Sequence, residues 1–304
     1  MPNTFVEPIS TKKLIVIGGA TASGKTKLSI EIAQKLNCSI ISADSRQFYK
    51  EMTIGTAKPS KTETKGVPHY FIGSHSLSNP INAGQYGMEA YEKLSELFND
   101  SNFIVLVGGS GLYLEALING IDDIPGNSAI RNKLNLELEE KGLAFLQDQL
   151  LKKDPTYYKL VDLNNPIRII RALEVIETTN KTYSSFRKRK IRTNNFETHI
   201  FVINHPRDLL YQRINKRVDL MITTGLIEEV KKLQPFKNEA VLKTVGYQEI
   251  FTYLEGRISI ETAVELIKRN SRRYAKRQIT WFKRFPNAIW GSPSEILKHI
   301  EKII

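Results

Sequence analysis

A chain of 304 residues with 41% apolar side chains can bury one large core, or a core and a smaller domain, and is too apolar to be disordered. Its net charge of +12 and isoelectric point near 9.5 point to a polyanionic partner such as nucleic acid, beyond what one small phosphate ligand explains. Cys38 is the only cysteine, which excludes an intrachain disulfide and a Cys-rich zinc site; no apolar run approaches the ~20 residues of a membrane span, and 1–13 lacks the apolar core of a signal peptide, so a cytoplasmic protein is expected.

The first element is the apolar run Leu14-Ile15-Val16-Ile17, read as a buried parallel strand. Directly behind it stands Gly19-Ala20-Thr21-Ala22-Ser23-Gly24-Lys25-Thr26, a P-loop of the ATP-binding type. Glycines let successive backbone N–H groups converge on an anion, and the helix that follows adds its positive N-terminus. Lys25 is expected to reach the phosphates and Thr26 a Mg²⁺. Lys27 to Ala33 continues with helical periodicity, so the strand–loop–helix context is present.

Two further strands follow, Ser39 to Ala43 ending at Asp44, and Asn102 to Val107 ending at Gly108-Gly109-Ser110-Gly111. In an open α/β sheet the ligand crevice lies beyond the carboxyl ends of the strands, where the P-loop, Asp44 and the second glycine turn should converge. Asp44 there could bind Mg²⁺, act as a general base, or merely cap the next turn. The segment Ser45 to Pro59, rich in cations and aromatics, suits contact with a nucleotide. The strand at 103–107 has no acidic residue at its end, where a triphosphatase places its Walker-B Asp, and this counts against ATP hydrolysis.

From about Ile121 charged helical segments succeed one another without a strand, through Lys133–Glu140, Ala144–Leu151 and Arg168–Ile176, tapering into the basic run Arg187-Lys188-Arg189-Lys190-Ile191-Arg192. The expected organisation is a P-loop core of 1–120 and 196–304 with a helical insertion domain at 121–195. His199 to Ile203 restores a strand, and everything after Arg207 is expected to be helical. Arg213 and Arg217 are four apart and share a helix face, so Arg217 could neutralise a leaving diphosphate.

The last long helix carries Lys268, Arg269, Arg272, Arg273, Lys276 and Arg277, with Lys283 and Arg284 beyond. Ile267, Ser271, Tyr274, Gln278, Trp281 and Phe285 define its expected buried face. No Asp or Glu occurs between Lys268 and Arg284, and unneutralised like charge on one helix favours contact with a nucleic-acid backbone. On these residues alone a small-molecule P-loop kinase, and an RNA-binding protein with an inert loop, stand beside a transferase that releases diphosphate.

The loop Gly19 to Thr26, Asp44-Ser45 with Tyr49-Lys50, Ile54-Gly55-Thr56-Ala57-Lys58-Pro59, Val67-Pro68-His69, Gly108 to Tyr113, Arg168 with Arg171 to Val175, Val245-Gly246-Tyr247-Gln248-Glu249 and Ala275 to Phe282 together resemble the bacterial tRNA dimethylallyltransferase family, in order and over nearly the whole chain. Ala20, Ser110 and Tyr70 depart from the family's usual Pro, Thr and His. The resemblance implies transfer of a dimethylallyl group from dimethylallyl diphosphate to the exocyclic N6 amine of adenosine 37 beside the tRNA anticodon; a monomer that needs no membrane is expected. It implies Asp44 as base, with Thr21 and Arg217 completing the catalytic set, and diphosphate held by Gly19, Ala20, Thr21, Ala22, Ser23, Gly24, Lys25, Thr26 and Arg217. Mg²⁺ would sit on Thr26. The tRNA would be met by Asp44, Ser45, Arg46, Gln47, Ser110, Arg131, Asn165, Pro166, Ile167, Arg168, Arg273, Lys276 and Arg277, with the target base flipped out of the anticodon stack.

Overall fold

The computed structural model describes residues 11–122, 124–187 and 192–304. Within the basic run, Lys188 to Ile191 lie outside the described residues. Strand β1 (Lys13–Gly19) is buried at every position after Lys13, as the centre of a parallel sheet covered on both faces requires. Its pleat sends Ile15 and Ile17 to one face, where α1 (Lys25–Leu36) contributes Leu28 and Ile32. Leu14 and Val16 point to the other face.

The sheet continues with β2 (Ile40–Ser42), β3 (His69–Tyr70) and, after helix α2 (Ala83–Asp100), β4 (Phe103–Val107). Helix α2 opens on a capping box between Asn82 and Gln85 and buries Tyr86, Ala90 and Leu94 against the Leu14 face. Short α3 (Gly111–Ile118) follows β4.

Residues Asn119–Arg192 form a separate compact unit. It is built from α4 (Ser128–Lys141), α5 (Leu143–Lys153), α6 (Pro155–Tyr158), α7 (Pro166–Thr179) and α8 (Tyr183–Phe186) around Leu134, Leu146, Leu150, Tyr157, Ile169 and Leu173. Asn165 starts α7 by accepting the Arg168 N–H, with Pro166 at the first helical position, where its missing donor is not needed.

Beyond this unit lie β5 (Glu197–Ile203), α9 (Arg207–Thr223), α10 (Leu226–Lys232), α11 (Tyr247–Leu254), α12 (Ile260–Phe282), β6 (Ile289–Gly291) and α13 (Pro293–Ile300). Among the described residues, six strands form one sheet in the order β3-β2-β4-β1-β5-β6, with each of these pairings parallel. Strand β6 corrects the expectation that everything after Arg207 is helical. Ile289-Trp290-Gly291 is too short to show period-2 patterning, and pairing with Phe201 to Ile203 at the sheet edge decides its conformation.

The buried face of α12 also differs in part from its expected stripe. Ala263, Ile267, Ala275, Gln278 and Phe282 are buried, whereas Tyr274, Trp281 and Phe285 are half-buried. Its cations are not all unneutralised, because Lys268 pairs with Asp219 of α9 at 2.9 Å and with Glu265 at 3.1 Å. One of these carboxylates comes from another helix and the other from the preceding turn, both upstream of the carboxylate-free stretch.

Candidate active site

Strands β1, β4 and β2 are adjacent, so their carboxyl ends open on one crevice. The chain leaving β1 turns through Gly19 at φ +145°, Ala22 at φ +60° and Gly24 at φ +96° before α1 begins. Gly24 caps α1 without a side-chain bond, so the first-turn N–H groups stay available to an anion. Ala22, with a Cβ in the left-handed region, carries strain of about 1 kcal/mol, a cost characteristic of functional turns. The Ser23 hydroxyl is buried and has no partner among the described residues.

Lys25 folds back over this loop and donates to the Ala20 carbonyl at 2.6 Å. Burial pushes its ammonium down to about 8; the Asp44 carboxylate opposes that shift and the Arg217 guanidinium adds to it. The three charges therefore share one locality. An anion bound to the loop would restore full charge to Lys25.

Asp44 stands just past β2, held against β4 by the Ala43 N–H donating to the Val107 carbonyl at 2.7 Å. Its Oδ1 accepts the Arg46 N–H at 3.1 Å, so it caps the following turn. That bond orients the carboxylate and leaves Oδ2 with no hydrogen-bond donor among the described residues. Ser110, on the second glycine turn, lies beside it: its Oγ is 3.1 Å from both the N–H and the hydroxyl of Ser45. The phenol of Tyr274 on α12 is pushed up by burial and then by the Asp44 charge, while a hydrogen bond to Ser110 counteracts them. Asp44, Ser45, Ser110 and Tyr274 thus form one cluster.

Gln278 joins the two glycine turns. Its Oε1 accepts the Thr21 N–H at 2.8 Å and its Nε2 donates to the Gly109 carbonyl at 2.9 Å. A Cβ on residue 109 would lie 2.2 Å from that Nε2, so only glycine admits the bridge. The cationic helix α12 is in this way bonded directly to the 19–26 loop.

On α9, Arg217 donates to the Thr56 carbonyl at 3.2 Å, and burial lowers its pKa while Asp44 raises it. Exposed Arg213 reaches within 3.2 Å of where a Cβ on Gly24 would stand. His205 Nε2 donates to the Ser23 carbonyl at 2.8 Å. The loop is thus braced from outside by His205, with two arginines over it.

The family model described as IPP transferase matches residues 47–285. The chain belongs to this family. It is 48% identical to the tRNA dimethylallyltransferase of Christiangramia forsetii, over 94% of this chain and 95% of that protein. The tRNA dimethylallyltransferase 1 of Bacteroides fragilis is 44% identical, over 97% of this chain and all of that protein. Among solved structures, the full-length tRNA isopentenylpyrophosphate transferase of Bacillus halodurans superposes with a TM-score of 0.69 at 36% identity, covering 96% of each chain. A eukaryotic dimethylallyltransferase described as acting on tRNA gives 0.75 at 26% identity, covering 93% of this chain and 74% of that one. The chain is accordingly a prenyltransferase-family enzyme with an α/β core and a helical insertion.

The remaining candidate residues fall on two surfaces, each within its own unit. Arg273, Lys276 and Arg277 are exposed on α12, with Arg277 resting over the Tyr274 ring. In the helical unit Ile167 and Arg168 are exposed at the start of α7, Ile167 by 78%. Arg131 makes a bidentate pair with the buried Glu174 at 2.9–3.0 Å, which gives it a structural task as well. Sequence reasoning missed His205 and the bridging role of Gln278. No local signal marks them, because each acts on a segment far away in the chain.

Proposed function

We propose that this enzyme transfers a dimethylallyl group from dimethylallyl diphosphate to N6 of adenosine 37 in tRNA, releasing diphosphate. The observation that carries this reading is the placement of a carboxylate with an unbonded oxygen, Asp44, beside two cations, Lys25 and Arg217, at a glycine loop built for phosphate. As the N6–C1 bond forms and the C1–O bond to diphosphate breaks, Asp44 takes the amine proton, and Lys25, Arg217 and the N–H groups of residues 19–26 meet the charge that develops on the leaving group. Thr21 and Arg217 act on the reacting diphosphate. Such a reaction needs no water-activating carboxylate, and β4 ends at Val107, followed by Gly108-Gly109, with none.

Mg²⁺ fits the donors present. The Thr26 side chain is exposed and engages no partner among the described residues, and no cluster of three His, Cys, Asp or Glu occurs among those residues. That suits an ion held by one hydroxyl, phosphate oxygens and water. When bound it would neutralise charge on the diphosphate.

The tRNA anticodon stem-loop is assigned to two surfaces. On the core these are Asp44, Ser45, Arg46, Gln47 and Ser110 near the reacting amine and Arg273, Lys276 and Arg277 on phosphates; on the helical insertion, 121–195, they are Asn165, Pro166, Ile167 and Arg168 with Arg131. No helix among the described residues is long and apolar enough to cross a membrane, and a cytoplasmic monomer is proposed. The test is incubation of the protein with Mg²⁺, dimethylallyl diphosphate and unmodified tRNA, followed by mass analysis of the nucleosides. One isopentenyl unit on the adenosine beside the anticodon supports the reading. Phosphate transfer from ATP with no adduct would replace it with a kinase.

A further inference from the structure

Glu229 sits on α10 and takes no part in the site as described, yet its carboxylate is fully engaged. It accepts the backbone N–H groups of Thr53, Ile54 and Gly55 at 3.0, 2.7 and 3.0 Å, and the Tyr247 hydroxyl at 2.6 Å. Three successive N–H groups converging on one anion form a backbone nest, here occupied by a side chain of the same protein. Tyr247 is fully buried, and a Cβ on Gly55 would lie 2.6 Å from its ring. The motifs Ile54 to Pro59 and Val245 to Glu249, far apart in sequence, are therefore two halves of one joint around Glu229.

The other end of that turn faces the site. The chain from Thr53 folds back on itself, Ala57 N–H donating to Ile54 and Lys58 N–H to Thr53. Its later carbonyls, those of Thr56 and Ala57, are bonded elsewhere. The Thr56 carbonyl accepts from Arg217 at 3.2 Å and from Gln47 Nε2 at 3.1 Å, and Gln47 also reaches the Ala57 carbonyl at 3.2 Å. The turn has its N–H end on a carboxylate and its C=O end on the arginine assigned to diphosphate and the glutamine assigned to RNA.

We propose that Glu229, with Tyr247, is a positioning residue: it clamps the 53–57 turn so that the Thr56 carbonyl holds Arg217 at the leaving diphosphate and Gln47 at the nucleotide. The inference rests on the prenyl-transfer reading. Arg217 is drawn toward Asp44 by charge and repelled by Lys25, so its place depends on a fixed neutral acceptor. A free turn would let the guanidinium shift, and displacements of about 1 Å at a reacting group cost on the order of 10²-fold in rate.

The test is a double-mutant cycle in single-turnover prenyl transfer with Glu229→Gln, Arg217→Lys and the pair, alongside Tyr247→Phe. Glu229→Gln keeps the side-chain volume but offers one acceptor oxygen to four donors. The expected result is a single-turnover transfer rate about 10- to 100-fold lower, at most a few-fold loss of tRNA affinity through Gln47, a smaller rate loss in Tyr247→Phe, and little further rate loss from Glu229→Gln once Arg217 is lysine. Losses that multiply across the cycle, or a wild-type transfer rate in Glu229→Gln with a normal melting temperature, overturn the proposal. If the wild-type protein itself transfers no prenyl group, it is the underlying functional reading that fails.

Discussion

Replacing Gln278 by leucine tests how the two glycine turns are held together. The substitution keeps the volume roughly constant and removes two hydrogen bonds, to the Thr21 N–H and the Gly109 carbonyl. Gly109 is buried, so its carbonyl keeps the full desolvation cost of about 1–3 kcal/mol for an unpaired polar group. Thr21 is half-buried, and water recovers part of its loss. The sum is a destabilisation of roughly 2–4 kcal/mol. Urea unfolding measures it directly. Gly109→Ala attacks the same bridge from the other side, since its Cβ would collide with Nε2. The double variant should therefore be more stable than the sum of the two single losses predicts, by about 1 kcal/mol or more. A Gln278→Leu protein within about 0.5 kcal/mol of wild type, or strict additivity, refutes the bridge as a structural link.

Lys25, with its pKa lowered to about 8 from 10.5, titrates across an unusual window. Between those values the unfolded chain binds more protons than the folded one, so the free protein gains stability as pH rises through the window and loses it as pH falls. Diphosphate binding should reverse this by restoring the charge: calorimetry in buffers of different ionisation enthalpy at pH 9 should register proton uptake, absent in Lys25→Met, with affinity falling as pH rises above 8. Uptake that persists in Lys25→Met would assign it to another group. Removing Arg273, Lys276 and Arg277 together should lower the slope of log affinity for tRNA against log salt by about 2, at ~0.7 for every phosphate left without its cation. An unchanged slope in filter-binding titrations would take RNA off this face of α12.

The 19–26 loop was legible because its sequence signal is local: the strand, the glycines, Lys25 and Thr26 are contiguous, and the continuous apolar run of β1 is buried on both faces. Asp44 was placed at the crevice by strand order alone, but its orientation by the Arg46 N–H was not decidable between capping and catalysis; the structure gives Oδ1 the cap and leaves Oδ2 unbonded. Strands β3 and β6 escaped because two- and three-residue strands carry no periodicity. The charge on α12 was over-read at Lys268, whose partner Asp219 is 49 residues upstream on α9. Gln278, His205 and Glu229 share a reason for being missed: each is an ordinary polar residue whose importance comes from a backbone group brought near by the fold.

In the proposed reaction Asp44 takes the proton while the loop and Arg217 hold the leaving diphosphate. The most direct test is rapid-quench prenyl transfer to unmodified tRNA by wild type and Asp44→Asn, with dissociation constants for dimethylallyl diphosphate and tRNA measured on both. The expected result is a loss of about 10²–10⁴-fold in the transfer rate for Asp44→Asn, with both substrates still bound at affinities close to wild type. Transfer by Asp44→Asn at the wild-type rate would contradict this role for Asp44.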